Sequence, residues 1–559
     1  MIQKVKIKII QTSDLHGNFF PYDFINRKPG RGSLSRASTY IKRQREMFQD
    51  HLLLLENGDI LQGQPTCYYS CFIQTQQTNL AADIVNYLKY DVQGIGNHDI
   101  ETGHAVYDKW ISELHCPTLA ANIIDTNLNK PYTAPYTIIQ KGEIKIAVLA
   151  LTTPAIPSWL SKELWKGMRL ENMVESAAHW IDHIKQVEAP HLVVGLFHSG
   201  HSGGIEANDY KENSTLEVAQ KVDGFDIIFF GHDHKLFAQH IINDDGKEVL
   251  CLNPSSDALF LSEAEITFTI DNHQVIDRQI TGKNIDIRKE DIDTDFIKHF
   301  QKNIDEVLAF TNRKIGEFAT TIYSRDSYFG SAAFTDFIHQ VQLDVTHADI
   351  SFNAPLAFDI AINQGDVHVS DLFNLYKYEN QIYVLEMTGQ EIKDYLEMSY
   401  GQWCNTMLSP QDHIMQLEKY NHNGCERTFF KHLTFNFDSA MGIIYTVDVR
   451  QPNGKKIKIL SLENGLPFLY DKRYTVAMHS YRGNGGGELL TKGAEIAQEE
   501  LAKRTILRSE YDQRYYLMKY IEDRKHLTLK ANNNWKFIPE EWTIEAIQRD
   551  KELLFENHK

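Results

Sequence analysis

Five short stretches of this 559-residue chain bring metal donors and proton carriers together. They are Asp14-Leu15-His16, Gly58-Asp59, Gly96-Asn97-His98-Asp99, His198-Ser199-Gly200 and Gly231-His232-Asp233-His234. Carboxylate and imidazole groups suit zinc, manganese, iron or cobalt, and an Asn amide oxygen is a further donor that adds no charge. Asp14, His16, Asp59, Asn97, His198, His232 and His234 make seven candidate ligands. That exceeds the roughly four positions of one tetrahedral site. It suits two divalent metal ions that share a carboxylate, roughly 3.5–4 Å apart. His98, next to Asn97, can carry a proton or donate to a phosphoryl oxygen.

The segments before these stretches read as strands. Val5, Ile7 and Ile9 alternate with lysines and lead into Asp14. Leu52-Leu53-Leu54-Leu55 leads into Glu56-Asn57-Gly58-Asp59, and Tyr90-Asp91-Val92-Gln93 into the Asn97 turn. Leu192–Phe197 ends at His198, and Phe225–Phe230 ends at Gly231. Asp14 and His16, two apart in an extended chain, are expected to point to the same side. Helical patterns around 78–88 and 175–186 separate the strands. Ligand-bearing loops beyond strand ends are the mark of layered α/β folds. The expected fold is α/β (α+β): a β-sandwich flanked by helices, with a metal site on one rim.

Length predicts two domains. Net charge is −18, which argues against a nucleic-acid polymer as partner. No apolar run is long enough for a membrane span, so no membrane partner is expected. The alternating start reads as a strand and not as a signal peptide. As written, the chain reads as cytoplasmic, and as periplasmic or extracellular only if a leader was removed. Cysteines at 67, 71, 116, 251, 404 and 425 fit no zinc-knuckle spacing and are expected to be reduced and mostly buried.

Gly200-His201-Ser202-Gly203-Gly204 fits the Gly-x-Ser-x-Gly pattern of a serine nucleophile elbow. That motif needs a helix directly after it, and Ile205–Tyr210 is polar and irregular. A serine hydrolase is therefore not the expected reading. There is also no P-loop pattern.

Together, Asp-x-His, Gly-Asp-x-x-x-Gly at Gly58–Gly63, Gly-Asn-His-Asp, His-x-Gly and Gly-His-x-His resemble the calcineurin-like metallophosphoesterases, in the form used by the 5′-nucleotidase family. The resemblance implies a four-layer sandwich over 1–285. It implies that Asp14, His16, Asp59 and His234 hold one metal, and that Asp59, Asn97, His198 and His232 hold the other. The metal could be Zn, Mn, Mg, Co or Fe. His98 would be the catalytic acid. The family usually places an Asp three residues after this His, where this chain has Glu101, while Asp99 follows His98 directly. Asp99 and Glu101 are both candidates to orient it.

Residues 286–312 read as a linker helix, 313–530 as a C-terminal α/β substrate domain, and 531–559 as a peripheral tail. Thr388-Gly389-Gln390-Glu391 is a capping box before a helix. Tyr378-Glu379-Asn380 and Tyr481-Arg482 before a run of glycines resemble the 2′,3′-cyclic-nucleotide 2′-phosphodiesterase/3′-nucleotidase branch. By that resemblance Tyr378 and Tyr481 clamp a nucleobase, with Asn380 and Asn353 as further substrate residues. Some 5′-nucleotidases present a phosphate-binding Arg where this chain has Asn353-Ala354-Pro355-Leu356. The expected partner is thus a small-molecule nucleotide. A 5′-nucleotidase or UDP-sugar hydrolase is the alternative activity, and a non-catalytic nucleotide-binding protein the alternative from another class.

Overall fold

Period-two alternation along the apolar strands builds the core of the first unit. In the Leu52–Glu56 strand, Leu53 and Leu55 face one apolar cluster while Leu52 and Leu54 face another. Ile227 and Phe229 likewise oppose Ile228 and Phe230. A strand buried on both faces reads as a continuous apolar run, which explains the four-leucine stretch.

The computed structural model describes residues 2–206, 210–422 and 425–556, with the backbone alone at 420–422 and 425–426. Its contacts divide the chain into Met1–Thr311 and Asn312–Lys559. The first unit holds two six-stranded sheets. One runs in the order Gln274–Asp286, Phe260–Asp271, Gln3–Thr12, Leu52–Glu56, Val92–Gly94, Thr118–Leu119. The other runs Leu236–Ile242, Glu248–Pro254, Ile227–Phe230, Leu192–His198, Ile144–Thr152, Tyr136–Lys141. Ile7, Ile9, Leu53 and Val92 of the first sheet share one core with Ile146, Val194, Leu196 and Ile227 of the second. The outer faces carry helices: Leu34–Phe48 and Leu80–Leu88 on one side, Met173–Val187 and Thr215–Lys221 on the other. The result is a helix–sheet–sheet–helix sandwich, as expected.

The Gln3–Thr12, Leu52–Glu56 and Val92–Gly94 strands are parallel neighbours, as are Leu192–His198 and Ile227–Phe230. Parallel pairing points their carboxyl ends the same way within each sheet, so all five ligand loops leave at strand ends of one sense. The segment expected as a single linker helix is two helices, Thr294–His299 and Gln301–Thr311. Phe296, Phe300 and Val307 are buried in the first unit's core.

The second unit is built on a five-stranded sheet ordered Ser439–Met441, Ile350–Asn353, Arg473–His479, Gln381–Thr388, Thr505–Asp512. Thr388 caps the Gly389–Trp403 helix with the reciprocal Glu391 bond read from the sequence. The tail beyond 530, expected as peripheral, enters the core instead. Trp535–Ile538 pairs with Ile443–Asp448, and Trp535 stacks on Tyr445. Its aromatic residues gain burial that no charged tail would. Among the described residues, no helix is long and apolar enough to cross a membrane. Of the five cysteines with described side chains, Cys67, Cys71, Cys251 and Cys404 are buried. Cys425 lies outside the described side chains.

Candidate metal centre

The ligand loops share an uncommon backbone. Asp14, His16, Asp59, His232 and His234 all have positive φ, between 45° and 75°. Left-handed backbone at non-glycine residues is sterically costly and persists where surrounding structure imposes it. The extended Asp14–His16 geometry expected from spacing is therefore wrong. The chain turns sharply there and is pinned to the neighbouring loop, with Asp14 N bonding Gly58 O at 3.0 Å and His16 N bonding Asp59 O at 3.0 Å. Two glycines permit the approach. A Cβ on Gly96 would fall 2.1 Å from Asp59 Oδ1, and one on Gly231 would fall 2.1 Å from Ser13 Oγ.

Six of the seven candidate ligands form two groups of mutually close donor atoms: Asp14, His16 and His234, and Asp59, His198 and His232. Asp59 joins the groups, with Oδ2 at 3.1 Å from His198 Nε2 and 4.0 Å from His16 Nε2. Asn97, the seventh, is buried at the start of the Asn97–Glu101 helix. Asn97 Oδ1 is buried without a hydrogen-bond partner, and Asp59 Oδ2 and His198 Nε2 are buried facing each other. Buried polar atoms are seldom left unpaired. Buried donor atoms of this kind on three candidate ligands fit a cation. His16 Nε2 and His234 Nε2 also face each other at 3.1 Å, a pairing that a shared cation satisfies better than a proton.

The imidazoles are oriented by their far nitrogens. His16 Nδ1 donates to Gln62 O at 3.1 Å, and His198 Nδ1 to Asn57 O at 2.9 Å. In each neutral ring this leaves the Nε2 lone pair for a metal. Charge is balanced internally. Burial alone would raise the carboxyl of Asp14, but the charges of His198 and His234 outweigh it and hold it far below the usual range. Burial would likewise lower His198, but Asp59 and Asp14 push it up to about 10. Burial lowers His16 to about 4, against the pull of Asp59.

His98 stands beside the donor groups, its ring 5.5 Å from that of His16. Its backbone N–H donates to Asp59 Oδ1 at 2.8 Å, and its Nδ1 lies 2.5 Å from Glu101 Oε2. Glu101 is thus the carboxylate that orients His98. Asp99 has a different task. Its two oxygens accept the backbone N–H groups of Asp59, Ile60, Leu61 and Gly96 at 2.8–3.0 Å. It clamps the Asp59 loop and is spent in doing so. Glu212, absent from the sequence reading, bonds His232 Nε2 at 3.1 Å.

The fold agrees with comparisons to known proteins. Residues 7–236 match the calcineurin-like phosphoesterase family, and residues 307–492 match the 5′-nucleotidase C-terminal domain. The chain thus carries a calcineurin-like phosphoesterase domain followed by a 5′-nucleotidase C-terminal domain. The phosphoesterase match contains all seven candidate ligands. This phosphoesterase is a metal-dependent hydrolase of phosphoric esters. The trifunctional nucleotide phosphoesterase protein YfkN of Bacillus subtilis is 26% identical over 96% of this chain, which spans 39% of that relative's length. The Yersinia enterocolitica 2′,3′-cyclic-nucleotide 2′-phosphodiesterase/3′-nucleotidase is 25% identical, over 95% of this chain and 88% of its own. A Thermus thermophilus 5′-nucleotidase precursor shares the fold, with TM-score 0.64 at 18% identity over 96% of this chain and all of its own.

In the second unit, Tyr378 and Tyr481 are both half-buried. Their segments are fastened together: Ser480 Oγ bonds Asn380 Oδ1 at 3.3 Å, and Gln381 N bonds Ser480 Oγ at 3.2 Å. Asn380 is itself buried and serves this join. Asn353 is wholly buried at the end of its strand. The glycine run seats Tyr481, since a Cβ on Gly486 would fall 2.6 Å from its ring. Arg482 is consumed internally, bidentate to the buried Asp438 at 3.0 and 3.1 Å.

Proposed function

We propose that this enzyme hydrolyses nucleotides as a 2′,3′-cyclic-nucleotide 2′-phosphodiesterase and 3′-nucleotidase. The observation that carries the chemistry is Asp59, whose Oδ2 lies within reach of both donor groups. Asp14, His16, Asp59 and His234 would hold one divalent ion, and Asp59, Asn97, His198 and His232 the other. Two such ions, when bound, would supply an acidified water and neutralise phosphoryl oxygens. His98 donates a proton to the leaving ribose oxygen or a hydrogen bond to the phosphoryl group. Glu101 keeps the proton on His98 Nδ1, so that Nε2 is the atom presented to substrate. Tyr378 and Tyr481 bind the nucleobase by stacking, which tolerates base identity.

The choice among nucleotides rests on the names of relatives that this chain matches over nearly its full length and on the Tyr-x-Asn and Tyr-Arg forms. Initial rates on 2′,3′-cyclic AMP, 3′-AMP, 5′-AMP and UDP-glucose test it. Preference for the first two is expected, and preference for 5′-AMP or UDP-glucose contradicts it.

A further inference from the structure

The Gly200–Gly204 stretch, which imitates a serine nucleophile elbow, has another use. Among the described residues, no helix follows it directly. A two-stranded hairpin does, pairing Gly203–Glu206 with Lys211–Asn213. Ser202 Oγ bonds His201 Nδ1, one residue before it, at 2.8 Å. The hairpin is tied to the loop that follows His198. Ser199 Oγ bonds Glu212 O at 2.8 Å, Thr153 Oγ1 bonds the same carbonyl at 3.0 Å, and Gly200 N bonds Asn213 Oδ1 at 2.8 Å. These bonds place the Glu212 carboxylate. Its Oε2 accepts Ile205 N at 2.7 Å, and its Oε1 lies 3.1 Å from His232 Nε2. Gly204, at φ +82°, makes room: a Cβ there would fall 2.4 Å from Glu212 Oε2.

We propose that Glu212 is a positioning residue for the metal centre, holding His232 by its Nε2–H and leaving Nδ1 as the ring's only lone pair for a cation. The proposal rests on the two-metal reading. An ionised carboxylate only accepts hydrogen bonds, so the ring nitrogen facing it carries the hydrogen. Glu212 itself lies outside the group formed by Asp59, His198 and His232. The arrangement repeats what the other rings show: His16 and His198 also have one nitrogen fixed by an oxygen. Those oxygens are backbone carbonyls. The partner of His232 is a side chain, which substitution can remove. Gly200 to Gly204 thus shape a hairpin that delivers a carboxylate to a ligand some twenty residues further along the chain.

The test is metal affinity in full-length protein, read by manganese titration against a fluorescent chelator. Outer-shell partners of ligand histidines typically change affinity by about 10–100-fold. Glu212→Ala is expected to weaken one of two sites by that factor and leave the other within about twofold. Glu212→Gln cannot accept from both Ile205 N and His232, and is expected to weaken the same site by about 3–10-fold. It decides the matter if the Ala variant does not fold. A residue acting through His232 has no further effect once the ring is gone, so Glu212→Ala in a His232→Ala background should change affinity by less than about twofold. Unchanged affinity at both sites in both Glu212 variants overturns the proposal. So does a further tenfold loss in the His232→Ala background, which would make the carboxylate a direct ligand or a fold element. A parent protein binding fewer than two ions overturns the two-metal reading, and the proposal with it.

Discussion

His198 Nε2 lies 3.1 Å from Asp59 Oδ2, and both side chains are buried. They come from different sheets. Asp59 follows the Leu52–Glu56 strand, and His198 ends the Leu192–His198 strand. The sandwich thus brings a carboxylate and an imidazole to one buried point, an arrangement that a shared cation would complete.

His98 and Glu101 act as a pair. His98→Asn is expected to keep its metal while kcat falls by about 10²–10⁴, the usual contribution of a positioned acid. Glu101→Gln should also keep its metal and lower kcat by less than His98→Asn does. Elemental analysis beside steady-state rates checks both. Loss of metal in His98→Asn would make His98 a ligand.

Asp99 is a clamp, and its loss should look different. Asn presents one acceptor oxygen where the carboxylate presents two, so backbone N–H groups of the Asp59 loop lose partners. Asp99→Asn is expected to cost about 1–3 kcal/mol of stability and to weaken metal binding. A variant with normal stability and metal content but reduced kcat would contradict this, and would return Asp99 to the catalytic step.

Much of this centre was legible in the sequence, because each donor follows an apolar strand and strand periodicity is readable from residue type. The left-handed turns at Asp14 and His16 were not, since neither residue type demands positive φ. Helix geometry carried a usable signal for Glu101. Residues three apart lie on one helix face, whereas adjacent ones do not, and this favours Glu101 over Asp99 as the partner of His98. Glu212 carried no such signal, because a hairpin and not chain proximity brings it to His232. The tail misled for a related reason: its charges advertise solvent, while Trp535 and Phe537 alternate into the core.

The tyrosines should affect binding more than chemistry. Tyr378→Ala and Tyr481→Ala are each expected to weaken nucleotide binding by roughly 1–3 kcal/mol, mainly in KM. Phe at either position should be nearly silent. Neither Ala variant should change kcat/KM for p-nitrophenyl phosphate, which has no base. Equal losses on both substrates would reduce the tyrosines to fold elements.

His339 makes the second unit acid-sensitive. It is fully buried between Ser351 Oγ at 2.8 Å and Ser439 Oγ at 3.1 Å, and burial pushes its imidazole down to about 3. The unfolded chain takes up this proton near the ordinary 6.5. Unfolded chain therefore binds more protons between those values. The neutral ring's contribution is fully present above pH 6.5 and lost as pH falls, by up to about 1.4 kcal/mol per pH unit. Asp336, pushed up to about 6 by burial, has the opposite sign, so the informative quantity is a difference between proteins. Urea unfolding from pH 6.5 to 4.5 should show a shallower loss of stability in His339→Asn than in the parent. Parallel curves would contradict the assignment.

The central claim is that Asp59 bridges two metal ions. Elemental analysis of parent and Asp59→Ala protein, both loaded with manganese or zinc and freed of excess, tests it most directly. The account predicts about two ions per chain in the parent and loss of both in the variant, with the fold retained by circular dichroism. A parent that holds no ion and gains no activity from either metal, or a variant that keeps one ion as tightly as the parent does, would contradict it.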